Sequence, residues 1–350
     1  MAAAHINFPC VGVWWPNSGD IGSMVANDVA NGRDRSVFDR LDVTQRYLAT
    51  EFAEGYEDGL LPRRDLVERV LRMTGGVGSA ASLLLAMGIP TRTAHAQAGP
   101  PAYAASGDPK SPFSVPEGDP EVVAADFMLD SNGTEVRAYV VCPAVDGRYP
   151  AVAICHENAG TAEHFRDVAR RFAKAGYVAV HLDLLSREGG TEAVPANERA
   201  AALTAPGKAD LFVQDFRAAI AYLRAHKNVR PDAIAMTGYC FGGSVSWNVA
   251  CREPALAAVA PFYGPPAFPD ELANVRAAAL GVYAENDARV NASIPSVEAG
   301  LSKAGVAHRL VTYPGAAHAF FNDTRPNYHA EASSQAWHDT LEWFGTHLGA

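Results

Sequence analysis

Cys240 stands in Gly238-Tyr239-Cys240-Phe241-Gly242-Gly243, between a short apolar run, Ala233–Thr237, and a second apolar stretch, Ser244–Ala250. A strand, a sharp turn carrying one nucleophile, and a helix make a nucleophile elbow, here with a thiol where a hydroxyl is usual. A side chain on so tight a turn needs a strained backbone. Glycines two residues before and after it leave room for the neighbouring strand and helix. The thiol then sits at a helix N-terminus, where the dipole favours a thiolate and a developing oxyanion. Such a group does acyl transfer if a base and a group to orient that base are supplied.

The partners of an elbow nucleophile follow it in the order acid, then histidine, on loops at the carboxyl ends of strands. Asp287, in Ala284-Glu285-Asn286-Asp287, is the acid candidate, with Glu285 as its rival closer to the strand end. His318 follows Pro314-Gly315-Ala316-Ala317, small residues that let a loop carry the ring over the sheet, and is the base candidate; His329 and His338 stand behind it. The loop His156-Glu157-Asn158-Ala159-Gly160 should lie beside the elbow. Its backbone N–H groups, with that of Phe241, suit an oxyanion hole. Glu157, at the end of a buried strand, is placed to hold the thiol or perturb its proton.

These residues need a scaffold, and the domain from about Glu121 supplies its pattern. Asp130-Ser131-Asn132-Gly133 joins two alternating runs as a hairpin with an Asn-Gly turn. Apolar runs at 151–155, 177–182, 233–237, 256–263, 277–283 and 309–313 alternate with amphipathic helices at 163–175, 211–225, 296–304 and 333–347. Apolar strands alternating with helices predict an α/β domain, a mostly parallel sheet covered on both faces. The loop 188–208, beside Arg187, is a candidate to close over the site.

The chain has 350 residues, 48% hydrophobic and 19% charged, enough for one large α/β domain and an appendage. Its net charge of −10, without a long basic run, points away from a nucleic-acid surface. Its five cysteines (Cys10, Cys142, Cys155, Cys240, Cys251) show neither CxxC nor zinc-ligand spacing, so no disulfide framework, metal or cofactor is expected. Residues 1–120 form an N-terminal extension. Helical spacing appears over 44–73, with a second short helix after Pro62. Arg63-Arg64, the small-residue run 74–89 and the Ala94-His95-Ala96 pattern resemble a twin-arginine export signal. The competing reading is a cytoplasmic helical extension. No stable membrane span is expected from a run so short and glycine-rich. Residues 97–120, rich in Pro, Gly, Ser and Ala, read as a linker.

With these motifs in hand, residues 121–350 resemble the dienelactone hydrolase family, single-domain α/β-hydrolases with a Cys-His-Asp triad. The carriers are the His-Glu-Asn-Ala-Gly loop, Asp183–Thr191, the elbow, the Glu-Asn-Asp turn and Gly-Ala-Ala-His-Ala-Phe-Phe. The resemblance implies Cys240 as nucleophile, His318 as base, Asp287 as its orienter, and Glu157 as the group that helps to form the thiolate. It further implies Asn158 and Phe241 as oxyanion-hole amides. Arg187 matches one of two arginines that bind a substrate carboxylate. The second arginine position reads Asn322, with Arg325 near but shifted, and losing one charge-assisted hydrogen bond costs about 1.5–3 kcal/mol. The expected function is hydrolysis of small esters or lactones through an acyl-enzyme. Thioester hydrolysis on the same fold, a ligand-binding domain without turnover, and redox sensing by Cys240 are the alternatives. The substrate and the oligomeric state are not read from the sequence.

Overall fold

The structure, a computed structural model, describes residues 108–349 throughout, a helix at Arg63–Thr74 and scattered positions between 41 and 89. The first forty residues, most of the small-residue run, the Ala94-His95-Ala96 pattern and the linker up to residue 107 lie outside the described residues. The chain divides into two compact units, Asp42–Leu66 with Ala98–Ala350, and Met1–Leu41 with Val67–Gln97. The helix expected after Pro62 is α1, Arg63–Thr74. In the smaller unit, Val70, Leu83 and Leu84 are buried.

The larger unit is built on strands β1 (Val122–Ser131), β2 (Thr134–Pro143), β3 (Tyr149–Cys155), β4 (Val178–Leu182), β5 (Val229–Tyr239), β6 (Ala258–Phe262), β7 (Ala278–Asn286) and β8 (His308–Ala317). Helices α2 (Glu163–Lys174), α3 (Ala196–Leu203), α4 (Lys208–Ala225), α5 (Phe241–Arg252), α6 (Ala288–Asn291), α7 (Ile294–Ala304) and α8 (Ala330–Leu348) connect or follow them. The eight strands form one sheet in the order β1-β2-β4-β3-β5-β6-β7-β8. From β4 to β8 the pairings are parallel; β1 and β2 run antiparallel at one edge. This is the α/β-hydrolase fold. Asn132 and Gly133 turn the β1–β2 hairpin with φ of 52° and 82°, the left-handed pair that a two-residue turn requires.

Strands β4 and β6 are buried along their whole length and β3 in all but its first residue. That is why they read as unbroken apolar runs rather than alternating ones. The chain leaves β3 for β4 on one side and resumes with β5 on the other. The carboxyl ends of β3 and β5 therefore flank the crevice where such sheets bind ligands. The register pairs Cys155 with Gly238, which sets Glu157 and Cys240 each two residues beyond a matched pair.

Two regions differ from the sequence reading. The stretch 188–208, entered from a 3-10 turn at Ser186–Glu188, contains a second one at Thr191–Ala193 and α3, and it is tied down: Asp183 accepts from the Thr191 N–H and hydroxyl, and Arg199 donates to Ala159 O. The described end of the linker is docked. Val115 is buried, its N–H donates to Asp167 Oδ1 (2.7 Å), and Phe113 packs edge-on against His338. Composition reports little apolar area in 108–120. The contacts are made by backbone groups and buried charges, which composition does not register.

Candidate active site

Strand β5 ends at Tyr239 and α5 starts at Phe241, so Cys240 makes the turn alone. Its backbone is left-handed, φ 57° and ψ −120°, a state that costs a non-glycine residue on the order of 1–3 kcal/mol. Neighbours hold it there. The Cys240 N–H donates to Phe262 O (3.0 Å), and its carbonyl accepts from the N–H groups of Gly243 and Ser244. The flanking glycines are sterically forced: a Cβ on Gly238 would lie 2.1 Å from Gly242 O, and one on Gly242 2.5 Å from His156 O. Cys240 is fully buried. Two other thiols are poor rivals as nucleophile. Burial pushes Cys155 well up and Cys251 up to about 12, so both stay protonated.

Strand register brings the other two predicted members together. Asn286 of β7 pairs with Ala317 of β8, so Asp287 and His318 are the next residues on adjacent strands. His318 Nδ1 lies 2.6 Å from Asp287 Oδ2, and both side chains are buried. Asp287 also caps α6, its Oδ1 accepting from the Val290 N–H. Burial works to raise the Asp287 carboxyl, but the charge and hydrogen bond of His318, with Arg289 and the Val290 N–H, outweigh it and hold it below its ordinary value. Glu285, the rival acid, accepts from the Gly315 N–H instead, so it braces the start of the histidine segment. His329 caps α8 and His338 packs on Phe113; neither takes the place of His318.

Glu157 is 1% exposed, and its Oε2 accepts from Asn322 Nδ2 (3.0 Å) and from Arg325 NH2 (2.8 Å). Arg325, shifted along the chain from the expected second-arginine position, thus reaches the glutamate beside the elbow through one turn, with its N–H on Asn322 O. Arg187, expected to bind a substrate carboxylate, has a protein partner. Both of its terminal nitrogens grip Asp215 of α4, at 2.6 and 2.7 Å, and Asp215 is fully buried. Asn158 and Phe241 are both buried on the two sides of the crevice. As the first residue of α5, Phe241 has an N–H without an intrahelical acceptor.

Two features escaped the sequence reading. Tyr263, one residue beyond β6 and left-handed at φ 38°, sets its ring 5.2 Å from that of His318. Its position at a strand's carboxyl end was the available signal. Asp323, five residues beyond His318, is fully buried and accepts from three segments: Ser111 N–H (2.9 Å), His164 Nδ1 (2.8 Å) and Arg171 NH2 (2.9 Å). Burial alone would raise its carboxyl, but His164 and Arg171 hold it far below the ordinary range. No sequence motif announces this hub.

The model of the dienelactone hydrolase family matches residues 136–348. A Salmonella typhi protein provisionally named a carboxymethylenebutenolidase is 30% identical over 265 residues, covering 71% of this chain and 97% of that protein. A Bradyrhizobium relative, provisionally named a 2-oxo-3-(5-oxofuran-2-ylidene)propanoate lactonase, is 30% identical over 241 residues, 65% of this chain and 96% of its own length. Among solved structures, a Klebsiella pneumoniae protein provisionally named a dienelactone hydrolase matches with a TM-score of 0.60 at 28% identity, over 64% of this chain and 98% of that one.

Proposed function

The chain belongs to the dienelactone hydrolase family, and on that premise we propose that it hydrolyses small esters or lactones through a Cys240-His318-Asp287 triad. The observation that carries the reading is the buried 2.6 Å contact between His318 Nδ1 and Asp287 Oδ2, reached from strand ends in the same sheet as the Cys240 elbow. An aspartate kept ionised accepts the Nδ1 proton, which leaves Nε2 as the basic nitrogen. In the forward step Cys240 Sγ attacks the carbonyl carbon and its proton passes to His318. The N–H groups of Asn158 and Phe241 take the oxyanion. As the tetrahedral intermediate collapses, the C–O bond breaks and His318 protonates the leaving oxygen. Water, giving a proton to His318, then attacks the thioester carbonyl and the acid departs from the regenerated thiol. Glu157 assists thiolate formation from its place beside the elbow.

The relatives' names favour a lactone, while Arg187 is engaged by Asp215, so a carboxylate-bearing dienelactone does not follow automatically. The catalytic unit we assign to 121–350, with the extension 1–120 before it and Ser111–Val115 bound onto it. No helix among the described residues is long and apolar enough to cross a membrane. The chain acts in the cytoplasm, or in the periplasm if segment 63–96 serves as an export signal.

The deciding assay measures kcat/KM for cis-dienelactone and for p-nitrophenyl acetate, on wild type and Cys240→Ala. Cleavage of either that vanishes with Cys240→Ala supports the triad. Dienelactone cleavage would assign the carboxylate to Arg325 or Arg187, and cleavage of the neutral ester alone would move the substrate elsewhere. Activity that survives Cys240→Ala refutes the nucleophile.

A further inference from the structure

Buried polar side-chain atoms in a folded protein nearly always have a hydrogen-bond partner, so those that lack one call for a reason. Among the described residues such atoms are scattered through the fold, and some of them belong to residues next to the candidate triad and its loop. Both Oδ1 and Nδ2 of Asn158 lack a partner among the described residues, as does the hydroxyl of Tyr263, and both residues are completely buried. Asn158 directly follows Glu157, beside the elbow. Tyr263 meets the His318 ring at 5.2 Å, and its N–H donates to Val282 O (2.7 Å), which fixes an aromatic residue in a left-handed backbone. Glu157, Tyr239 and Cys240 add to burial in raising the Tyr263 phenol, which therefore stays a neutral donor and acceptor. A carboxamide and a phenol desolvated without partners are unfavourable in the resting protein. A ligand atom that reached these groups would supply those hydrogen bonds.

The chemistry of that atom can be narrowed. An anionic substituent would join Glu157 and Asp287 in a buried site whose nearby guanidinium, Arg325, is engaged by Glu157, while Arg187 is engaged by Asp215. A neutral group avoids that repulsion. Asn158 Oδ1 needs a donor and Nδ2 needs an acceptor, which a keto oxygen cannot supply together and a hydroxyl can. We propose that the Asn158 carboxamide and the Tyr263 hydroxyl form an acyl-side subsite that hydrogen-bonds a hydroxyl group next to the scissile carbonyl, so that the substrate class is a small hydroxy-substituted ester or lactone. The inference rests on Cys240 being the nucleophile.

A matched pair of esters tests it: p-nitrophenyl hydroxyacetate and p-nitrophenyl propanoate, which differ by a hydroxyl in place of a methyl group. Each kcat/KM is divided by that ester's own rate of hydroxide hydrolysis, which removes intrinsic reactivity. Wild type should prefer the hydroxyacetate by about tenfold or more, and Asn158→Leu and Tyr263→Phe should each cut that ratio by at least about fivefold. Tyr263→Phe is nearly isosteric and decides the matter if Asn158→Leu fails to fold. A wild-type ratio near one, a ratio that Tyr263→Phe leaves in place, or a preference for the negatively charged p-nitrophenyl hydrogen malonate would overturn the subsite. Cys240→Ala separates the two ideas. If it still cleaves these esters, the nucleophile is wrong and the subsite falls with it. If it is inactive while the ratio does not respond, the subsite alone is wrong.

Discussion

Replacing Arg325 with methionine should destabilise the protein by about 3 kcal/mol, because it strands a buried carboxylate. Glu157 is 1% exposed and Arg325 9%, with NH2 2.8 Å from Oε2. Removing one partner of a buried ion pair costs about 3–5 kcal/mol, since the other charge keeps its desolvation penalty and loses its compensation. Asn322 still donates to the same oxygen at 3.0 Å, which places the loss near the low end of that range. For a domain of this size about 3 kcal/mol corresponds to roughly 6–12 °C in Tm. The assay is urea unfolding of wild type, Arg325→Met, Glu157→Gln and the double variant. Arg325 has further interactions, and the double-mutant cycle removes them from the account. The coupling between the two positions should be about 2 kcal/mol, with the double variant more stable than the sum of the singles implies. A loss below about 0.5 kcal/mol in Arg325→Met, or a coupling near zero, would show that Glu157 is compensated by something other than this arginine.

Three further outcomes follow from the same contacts. Gly242→Ala should give insoluble protein or a loss of about 4 kcal/mol or more by urea unfolding, because its Cβ would meet the His156 and Cys155 carbonyls at 2.5 and 2.6 Å and neither is a flexible side chain. His181 is lowered to about 3, by burial first and then by the neighbouring His156 charge, while the unfolded value is about 6.5. Its contribution is therefore complete above about pH 6.5 and drains as the pH falls towards 3, where the unfolded chain alone takes the proton; His181→Gln should flatten that slope in unfolding curves at pH 7, 5 and 4. Asp323→Asn should lower stability at pH 7 and flatten the acid limb below about pH 4, because a depressed carboxyl stabilises above its unfolded value and loses that contribution as the pH falls below it. An acid limb unchanged by that substitution would remove Asp323 as the source.

How much of this was legible in the sequence depends on the kind of contact. The elbow was readable because its requirements are local: two glycines that no Cβ can replace, a strand before and a helix after. Asp287 and His318 were readable because each follows an apolar strand, although their meeting depends on the Asn286–Ala317 register, which no spacing in the chain reveals. The choice between Asp287 and Glu285 turned on strand length. Strand β7 runs on to Asn286, so Glu285 is still inside it and reaches Gly315, while Asp287 is the first residue free to turn. Arg187 shows the opposite case. Its neighbour Asp215 lies 28 residues away on α4, in a helix whose apolar face gave no hint that an acid was buried beside it.

The polar side of α2 carries the same lesson towards the candidate site. Its apolar residues Phe165, Val168, Ala169 and Phe172 were visible as a stripe, and charged residues on the remaining face ordinarily signal solvent. Here His164, Asp167, Arg170 and Arg171 are buried as well, because Ser111–Val115 and Asp323 cover them. Charges placed under cover need partners, and each partner fixes another segment. Arg171 bonds both Asp167 and Asp323; Asp167 holds the Ser114 hydroxyl and the Val115 N–H. Asp323 lies between Asn322 and Arg325, the two residues that hold Glu157, and five residues past His318. One buried carboxylate thus ties the approach to the domain to the segment that carries His318. Phe320 and Phe321 pack that segment into the core just after His318, while around residues 322–329, where no apolar side chain is buried, ionic contacts take over. Such contacts depend on geometry more sharply than apolar area does, which suits a segment that, on the proposed mechanism, holds the His318 imidazole in register with the Cys240 thiol.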